Sequence, residues 1–209
     1  MRYLFYLCIL IIAAGCHRAV FKEKWLNEKA PEHFVARFET SKGYFEAEFT
    51  REWSPLAVDR VYAQVKHHYY DNILFYRVTS NTYAQFGGDD SVRRKAWTQH
   101  KIPDEPVRKG NERATISFAR GGKESRGNDL FVNLKNNSPR LDTISSSGVK
   151  GYPGLGVITK NMEVLDSLYN GYGDKVFAKY NTLLKNKRAF LDSFPKLDSI
   201  RRVFLIKRK

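Results

Sequence analysis

Two stretches near the start of the sequence alternate between apolar and polar residues. In "FVARFET" the apolar side chains occupy every second position, and after Ser41-Lys42-Gly43 the same alternation returns in "YFEAEF". Residues two positions apart share one face of a strand, and a short polar break containing glycine is typical of a turn. The pattern therefore predicts a β-hairpin with one buried face. That face carries Phe34, Ala36, Phe38, Phe45, Ala47 and Phe49.

A helix is predicted directly after the hairpin. Ser54 is a favourable N-cap, Pro55 suits the first helical turn, and apolar residues follow at helical spacing as far as Val65. Five short strand-like runs come next, separated by loops rich in Gly, Asn, Ser and Lys: "ILFYRV", "YAQFG", "ATISFA", "DLFVNL" and "GLGVIT". Many short strands with few helices favour a closed barrel or a sandwich, so we expect a mainly β fold. "NMEVLDSLY" predicts a second helix.

The end of the chain predicts one further helix and a last strand. Asp174 can cap a helix that has an apolar side and ends before Pro195. The apolar side carries Val176, Tyr180, Leu183, Leu184 and Leu191. "IRRVFLIK" then predicts a terminal strand that completes the sheet. We expect this tail to belong to the domain, with the insertion at about residues 174–198 either regulating access to a site or packing beneath the sheet.

The first 15 residues have the pattern of an export signal. Arg2 gives a positive start, residues 4–14 form an uncharged apolar run that is too short to span a bilayer, and "AAGC" closes the run at Cys16. This ending resembles the lipobox of bacterial lipoproteins, in which the chain is cut before the cysteine and the cysteine is acylated. The resemblance implies a lipoprotein signal peptide over residues 1–15 and a lipid on Cys16. An ordinary cleaved signal peptide with an incidental cysteine is the alternative.

The lipoprotein hypothesis sets the expected organisation and location. Residues 16–32 are charged and lack periodicity, so they predict a flexible tether, and residues 33–209 would form one domain. The other cysteine, Cys8, lies inside the signal, so no internal disulfide or cysteine metal site is expected. We expect a domain outside the cytoplasm, lipid-anchored to a membrane of the bacterial cell envelope.

The chain is strongly basic, which raises the question of a nucleic-acid partner. The net charge is +14, from 36 Lys and Arg against 22 Asp and Glu. Residues 171–209 alone carry +8 of it, so the excess is concentrated at one end. In a lipid-anchored protein such an end could lie against anionic head groups, and a solvated basic face is the alternative. We therefore expect no nucleic-acid partner.

Two polar residues interrupt adjacent strand-like runs, Arg77 in "FYRV" and Gln85 in "YAQF". The sequence on both sides of these residues resembles the cyclophilin family of peptidyl-prolyl isomerases, over roughly residues 34–168 and the final strand. The matching pieces, in order, are "TSKGYFEAEF", "SPLAVDRVYAQV", "YYDNILFYRV", "AQFGGD", "ATISFARGG", "NDLFVNL", "YPGLGVI" and "NMEVLDSL". Each piece alone is weak evidence, and their shared order makes the resemblance strong.

The resemblance implies a fold and a set of roles. The fold would be a closed eight-stranded antiparallel barrel capped by helices, with the substrate groove on its outer surface. Arg77 matches the catalytic arginine, and Gln85 matches the glutamine that holds the substrate backbone. The remaining positions implied to bind substrate are Phe75, Thr82, Tyr83, Ala119, Arg120, Asp129, Phe131, Leu141 and Tyr152. The expected partners are proline-containing segments of unfolded or partly folded envelope proteins, bound by a monomer without a cofactor.

The residue types suit rotation about an X-Pro bond. The barrier of about 18 to 20 kcal/mol arises because the amide nitrogen shares its lone pair with the carbonyl group. A cation directed at the prolyl nitrogen stabilises the twisted state, while an apolar pocket holds the ring. Arginine is suited to this role because it stays protonated and presents a rigid fork of donors.

Several positions differ from the usual family pattern. Thr82-Tyr83 stands in place of Phe-Met, Asp129 in place of glutamine, and Tyr152 in place of a frequent histidine, while Arg140 stands where some members have tryptophan. The pocket is therefore expected to be altered, with weak activity as one consequence.

Other functions remain open at this stage. Arg77 could be a structural arginine paired with a nearby carboxylate, and the groove could bind proline segments without catalysis. A basic envelope scaffold is a third hypothesis. His67 and His68 are adjacent in a connection and match neither a zinc-protease nor a Ser-His-Asp pattern, so no metal site is expected.

Overall fold

The computed structural model describes residues 19–146 and 148–206. Within these residues the chain forms eleven strands, six α-helices and three 3-10 helices. The strands are β1 His33–Thr40, β2 Gly43–Thr50, β3 Ile73–Leu74, β4 Arg77–Thr79, β5 Tyr83–Phe86, β6 Thr115–Phe118, β7 Leu130–Asn133, β8 Ser145–Ser146, β9 Val149–Lys150, β10 Gly154–Lys160 and β11 Ser199–Ile206. The α-helices are α1 Pro55–Lys66, α2 Val92–Thr98, α3 Arg140–Thr143, α4 Met162–Asp166, α5 Tyr180–Leu183 and α6 Lys187–Ser193. The 3-10 helices are Glu23–Asn27, Arg51–Trp53 and Gly173–Lys179.

The predicted hairpin is confirmed in register as well as in position. β1 and β2 pair antiparallel, with Phe34 opposite Phe49 and Phe38 opposite Phe45. The rings of both pairs stack, with centroid distances of 4.9 and 4.7 Å. Cross-strand aromatic pairs of this kind stabilise a sheet beyond their burial alone. α1 follows where Ser54-Pro55 predicted it and packs its valines into the same core.

Nine strands form one antiparallel sheet in the order β3-β11-β1-β2-β10-β6-β7-β5-β4, and β8 and β9 form a separate pair. The sheet's first and last strands belong to one stretch of chain, with only Phe75 and Tyr76 between them. The sheet therefore curls until its two ends meet through the covalent chain. The expected eight-stranded closed barrel is replaced by this curled nine-stranded sheet, because the ladder is interrupted where Phe75 turns into the core.

The final strand is an inner member of the sheet. β11 pairs with β1 on one side and with β3 on the other. The prediction that the tail belongs to the domain is therefore confirmed.

The prediction of a single helix after Asp174 is wrong. The insertion folds as three short helical segments, which are Gly173–Lys179, α5 and α6. The break before α6 occurs at Asn186, whose side chain accepts a hydrogen bond from the backbone N–H of Ala189 and so starts a new helix.

The insertion has a small core of its own. Val176, Leu183 and Phe190 are spaced seven residues apart and are all buried. They pack with Phe194 and with side chains of the strand region, Leu74 and Tyr76. This second core fixes the insertion against the end of the sheet.

The prediction of a flexible tether over residues 16–32 is wrong for the part that the structure describes. Trp25, in the first 3-10 helix, is 7% exposed and stacks on His67 with a centroid distance of 3.8 Å. Glu28 contacts Lys66 and His67, and the backbone N–H of Ala30 donates to Asp59. One buried indole with specific polar contacts holds this segment although its sequence lacks periodicity.

Residues 1–15 and Cys16 lie outside the described residues. Within residues 19–146 and 148–206 no helix has the length and apolar character needed to cross a bilayer.

Candidate functional site

Arg77 and Gln85 face each other across two neighbouring strands. They are opposed in the register of β4 and β5, and Nη1 of Arg77 donates to Oε1 of Gln85 at 3.2 Å. The arginine side chain is 15% exposed. The two polar residues that interrupt the strand patterns therefore form one hydrogen-bonded unit at the edge of the sheet.

The same guanidinium contacts a carboxylate and two aromatic rings. Nε of Arg77 donates to Oδ1 of Asp174 at 2.7 Å, and Nη2 lies 2.7 Å from that oxygen. Cζ lies 4.5 Å from the ring centroid of Tyr83 and 4.3 Å from that of Phe177. Asp174 and Phe177 both come from the 3-10 helix of the insertion. The position of the guanidinium is thus fixed by strands on one side and by the insertion on the other.

An aromatic chain leads away from Arg77 along the groove. The centroid distance is 5.9 Å between Tyr83 and Phe131 and 5.8 Å between Phe131 and Tyr152, and both pairs pack edge to face. Leu141, which is buried, adds an aliphatic wall. These side chains form an apolar recess beside a cationic group.

The recess is part of a cavity of about 370 Å³ on the outer side of the sheet. Its lining residues are Tyr76, Arg77, Tyr83, Gln85, Ala119, Arg120, Gly121, Ser125, Asp129, Phe131, Arg140, Leu141, Ile144, Tyr152, Phe177 and Tyr180. A cavity of this size with an apolar lining and a few convergent polar groups is typical of a binding site for a small ligand or peptide segment.

The guanidinium of Arg120 makes its contacts within the protein. It donates to the carbonyl oxygens of Gly151 and Val149 and lies 4.4 Å from the ring centroid of Tyr152. The backbone N–H of the preceding Ala119 donates to the carbonyl oxygen of Asp129. Arg120 therefore positions the aromatic wall at Tyr152.

Asp129 lies at the floor of the cavity beside the insertion. The hydroxyl of Tyr180 donates to its Oδ2 at 2.8 Å, and Nη2 of Arg94 lies 3.6 Å from the same oxygen. Its Oδ1 is buried and has no hydrogen-bond partner in the described part of the chain. Burial raises the pKa of the Asp129 carboxyl, and the Arg94 charge offsets only part of this rise.

The model of the family described as cyclophilin type peptidyl-prolyl cis-trans isomerase/CLD matches residues 35–186. The chain belongs to the cyclophilin family.

Two curated members of the family show how distant its relatives are. Peptidyl-prolyl cis-trans isomerase cyp18 of Streptomyces antibioticus is 28% identical over 131 residues, which is 62% of this chain and 79% of the relative. Peptidyl-prolyl cis-trans isomerase-like 1 of Aspergillus fumigatus is 28% identical over 136 residues, 60% of this chain and 84% of the relative.

Solved structures agree on the fold. A cyclophilin type peptidyl-prolyl cis-trans isomerase of Cryptosporidium parvum matches with a TM-score of 0.57 at 17% identity, over 85% of this chain and 99% of that chain. A structure of that protein in the presence of the dipeptide Ala-Pro gives a TM-score of 0.55, also at 17% identity, over 83% and 99% of the two chains.

Most residues that the cyclophilin resemblance implied for the site line the cavity, and two do not. Phe75 is fully buried in the main core, where its ring lies 5.3 Å from that of Phe86, so it supports the site from inside the sheet. Thr82 lies in the turn between β4 and β5, where its hydroxyl donates to the carbonyl of Ser80. Its own carbonyl accepts from Leu134 and Asn137. Phe75 and Thr82 therefore do not line this cavity, and their expected contacts with substrate stay predictions.

Three residues of the insertion that lie at the site were not predicted to belong to it. Phe177 and Tyr180 line the cavity and Asp174 contacts Arg77, and all three lie outside the strand-like pieces that carried the cyclophilin resemblance. Tyr180 was expected on the apolar side of a helix. In the structure its ring packs against the second core, and its hydroxyl donates to Asp129. No group of three or more His, Cys, Asp or Glu side chains suited to a metal ion occurs among residues 19–146 and 148–206.

Proposed function

We propose that this protein catalyses cis-trans isomerisation of X-Pro peptide bonds in proline-containing segments of unfolded or partly folded proteins. One observation carries the proposal. The guanidinium of Arg77 is held by Gln85 at the wall of a cavity, directly beside the aromatic recess formed by Tyr83, Phe131 and Tyr152. A prolyl ring in the recess would bring its nitrogen next to the cation.

The mechanism requires no bond cleavage and no cofactor. As the X-Pro bond rotates, the prolyl nitrogen regains its lone pair, and an N–H of Arg77 can donate to it. The contacts with Asp174 and Gln85 use at most three of the five N–H donors of the guanidinium, so at least two remain for a peptide. The interaction is stronger in the twisted state than in the planar one, which is the condition for catalysis.

A purely structural role for Arg77 is the competing interpretation, because it does contact a carboxylate. Asp174, however, is 64% exposed. Exposed ion pairs contribute about 0 to 1 kcal/mol to stability, so this pair gives little reason to place an arginine in the strand. The position of Arg77 in the cavity wall supports the catalytic role.

The test is a protease-free isomerisation assay on proline peptides that differ in the residue before proline. Turnover above the uncatalysed rate supports the proposal. Activity on no peptide, with peptide binding retained, would instead select the second candidate below.

The proposed setting is the bacterial cell envelope, with a lipid on Cys16 holding a monomeric domain at a membrane outside the cytoplasm. The support is the short apolar run followed by Ala13, Ala14, Gly15 and Cys16. Lipid anchoring would place the groove near exported proteins while they fold.

A noncatalytic module that holds proline-containing segments is the second candidate. Two observations favour it. Arg77 is already in contact with Asp174, and Asp129, which stands in place of the usual glutamine, is bound by Tyr180. Both contacts reduce the polar groups offered to a substrate.

A further inference from the structure

The insertion provides a wall of the groove that is fixed in place. Its first segment, the 3-10 helix Gly173–Lys179, packs against β4. Val176 in that helix is buried in the second core with Leu183 and Phe190. A segment held by its own core keeps its outward side chains in a defined position relative to Arg77.

Phe177 is the outward apolar side chain of this wall. Val176 points into the second core, whereas Phe177 is 46% exposed, lines the cavity and lies 4.3 Å from Cζ of Arg77. Ile144, which is 39% exposed, lines the same cavity. Large apolar side chains that remain exposed at the rim of a groove are available for contact with a bound segment.

We propose that Phe177 determines substrate specificity by contacting the side chain next to the proline and favouring an apolar residue there. This inference rests on the proposed function, because that function places the prolyl nitrogen at Arg77. The ring of Phe177 touches the same guanidinium, so it lies beside the residue that flanks the rotating bond.

Burial of apolar surface and electrostatics both support this preference. Covering the exposed part of the Phe177 ring with an aliphatic side chain removes apolar surface from water. An acidic residue at that position gains little from Arg77, whose charge is already paired with Asp174, and loses hydration against the Phe177 ring. The expected order for the flanking residue is therefore Leu first, then Ala, then Glu.

The experiment measures kcat/KM for peptides with Leu, Ala or Glu before or after the proline. The wild-type protein should prefer Leu over Ala on one side of the proline by about fivefold or more. Phe177→Ala should reduce this ratio to near one. Loss of the ring's contact with Arg77 would lower kcat/KM on all peptides alike, so the ratio still reports the contact with the flanking residue. Phe177→Leu should keep most of the preference. Val92→Ala is the control. In the described part of the chain Val92 is the most exposed large apolar side chain, and it does not line the cavity.

Each other outcome overturns the inference. An equal loss on all peptides in Phe177→Ala would assign the ring to positioning Arg77, and an equal gain would show that it obstructs the groove. A wild-type protein that isomerises all peptides equally would also contradict it.

Failure of the proposed function gives a different result. If the protein binds proline peptides without turnover, the same Leu-to-Ala ratio measured as Kd decides the specificity role of Phe177. If it neither binds nor isomerises any peptide, both proposals are wrong. Melting temperatures of all variants show whether a change in folding explains a result.

Discussion

At the scale of single residues, Arg77 is the side chain on which the proposed chemistry depends. It contacts an amide at Gln85, a carboxylate at Asp174 and two aromatic rings, and all of these contacts restrict its rotation. A guanidinium that is already oriented needs little reorganisation when a peptide binds.

We expect Arg77→Ala to slow isomerisation at least tenfold, with peptide binding reduced much less. A charge-assisted hydrogen bond contributes roughly 1.5 to 3 kcal/mol, and about 1.4 kcal/mol changes a rate tenfold. Arg77→Lys should recover little, since an ammonium cannot reproduce the fork. Turnover and melting temperature should be measured on the same purified variants. Full turnover in folded Arg77→Ala would remove the catalytic assignment.

The buried carboxyl of Asp129 predicts how the stability of the protein depends on pH. Burial raises the pKa of its carboxyl above the ordinary 3.8, so the folded protein holds this proton more tightly than the unfolded chain does. Its contribution to stability is therefore greatest below the ordinary pKa and is lost as the pH rises through the raised value. The melting temperature of wild type relative to Asp129→Asn should fall from about pH 3.5 to pH 7.

The control for this experiment is Asp192→Asn, which removes an exposed carboxylate from the insertion. Its difference from wild type should change much less over the same range. A wild-type advantage over Asp129→Asn that grows with pH would show that the Arg94 contact outweighs burial.

Side chains on regular strands were predictable, and those on irregular backbone were not. Arg77, Gln85 and Phe131 are positioned by strand alternation and by register, both of which leave a pattern in the sequence. Phe75 does not line the cavity, because the chain changes direction between β3 and β4 and turns this ring inward. No local pattern reports such a change.

At the scale of elements, the N-terminal segment shows that a single anchor can order a polar stretch. Trp25 is packed against His67 and Trp97, with centroid distances of 3.8 and 6.5 Å. The ring of Phe21 lies edge-on to that of Trp97 at 5.2 Å. These aromatic contacts extend the domain toward its N-terminus.

We expect Trp25→Ala to lower the free energy of unfolding by about 3 kcal/mol, because it removes a large buried side chain from the main core. Lys24→Ala, which alters the exposed neighbour, should change it little. Chemical denaturation of both variants measures the difference. A true tether predicts that both variants match wild type.

Elements with strong periodicity were predicted well, and those held by tertiary contacts were not. The hairpin and α1 follow from alternation and helical spacing. The segment around Trp25 has no period, so sequence reasoning assigned it to a tether. The insertion did show an apolar side, but the N-cap at Asn186 breaks it into separate helices. A cap of this kind competes with helix continuation, and the spacing of apolar residues does not show which one prevails.

At the scale of the whole molecule, the two ends of the sheet, the insertion and the cavity meet in one region. Tyr76 links them, because it lies between β3 and β4, packs in the second core and lines the cavity. The ring of Tyr180 lies 5.1 Å from that of Tyr76. A change in how the insertion packs would therefore alter the groove directly.

The proposed lipid anchor is testable on the intact protein. We expect Cys16 to be the acylated first residue of the mature chain, as small residues precede it and the apolar run is too short for a span. Mass spectrometry of the membrane fraction measures this directly. Cys16→Ser should release the protein from the membrane or block its processing. An unmodified Cys16, or a mature chain that starts elsewhere, would contradict the lipoprotein assignment.

The docked N-terminal segment also limits how far the domain could stand from a membrane. Phe21 already contacts Trp97 and His100, so only five residue steps separate a lipid on Cys16 from the packed body of the protein. Fully extended, those steps span about 18 Å at most, less than the width of the domain they carry. On such a short connection a lipid-anchored domain would reach only a thin layer at the membrane surface, and the proposed substrates would meet it as they emerge there.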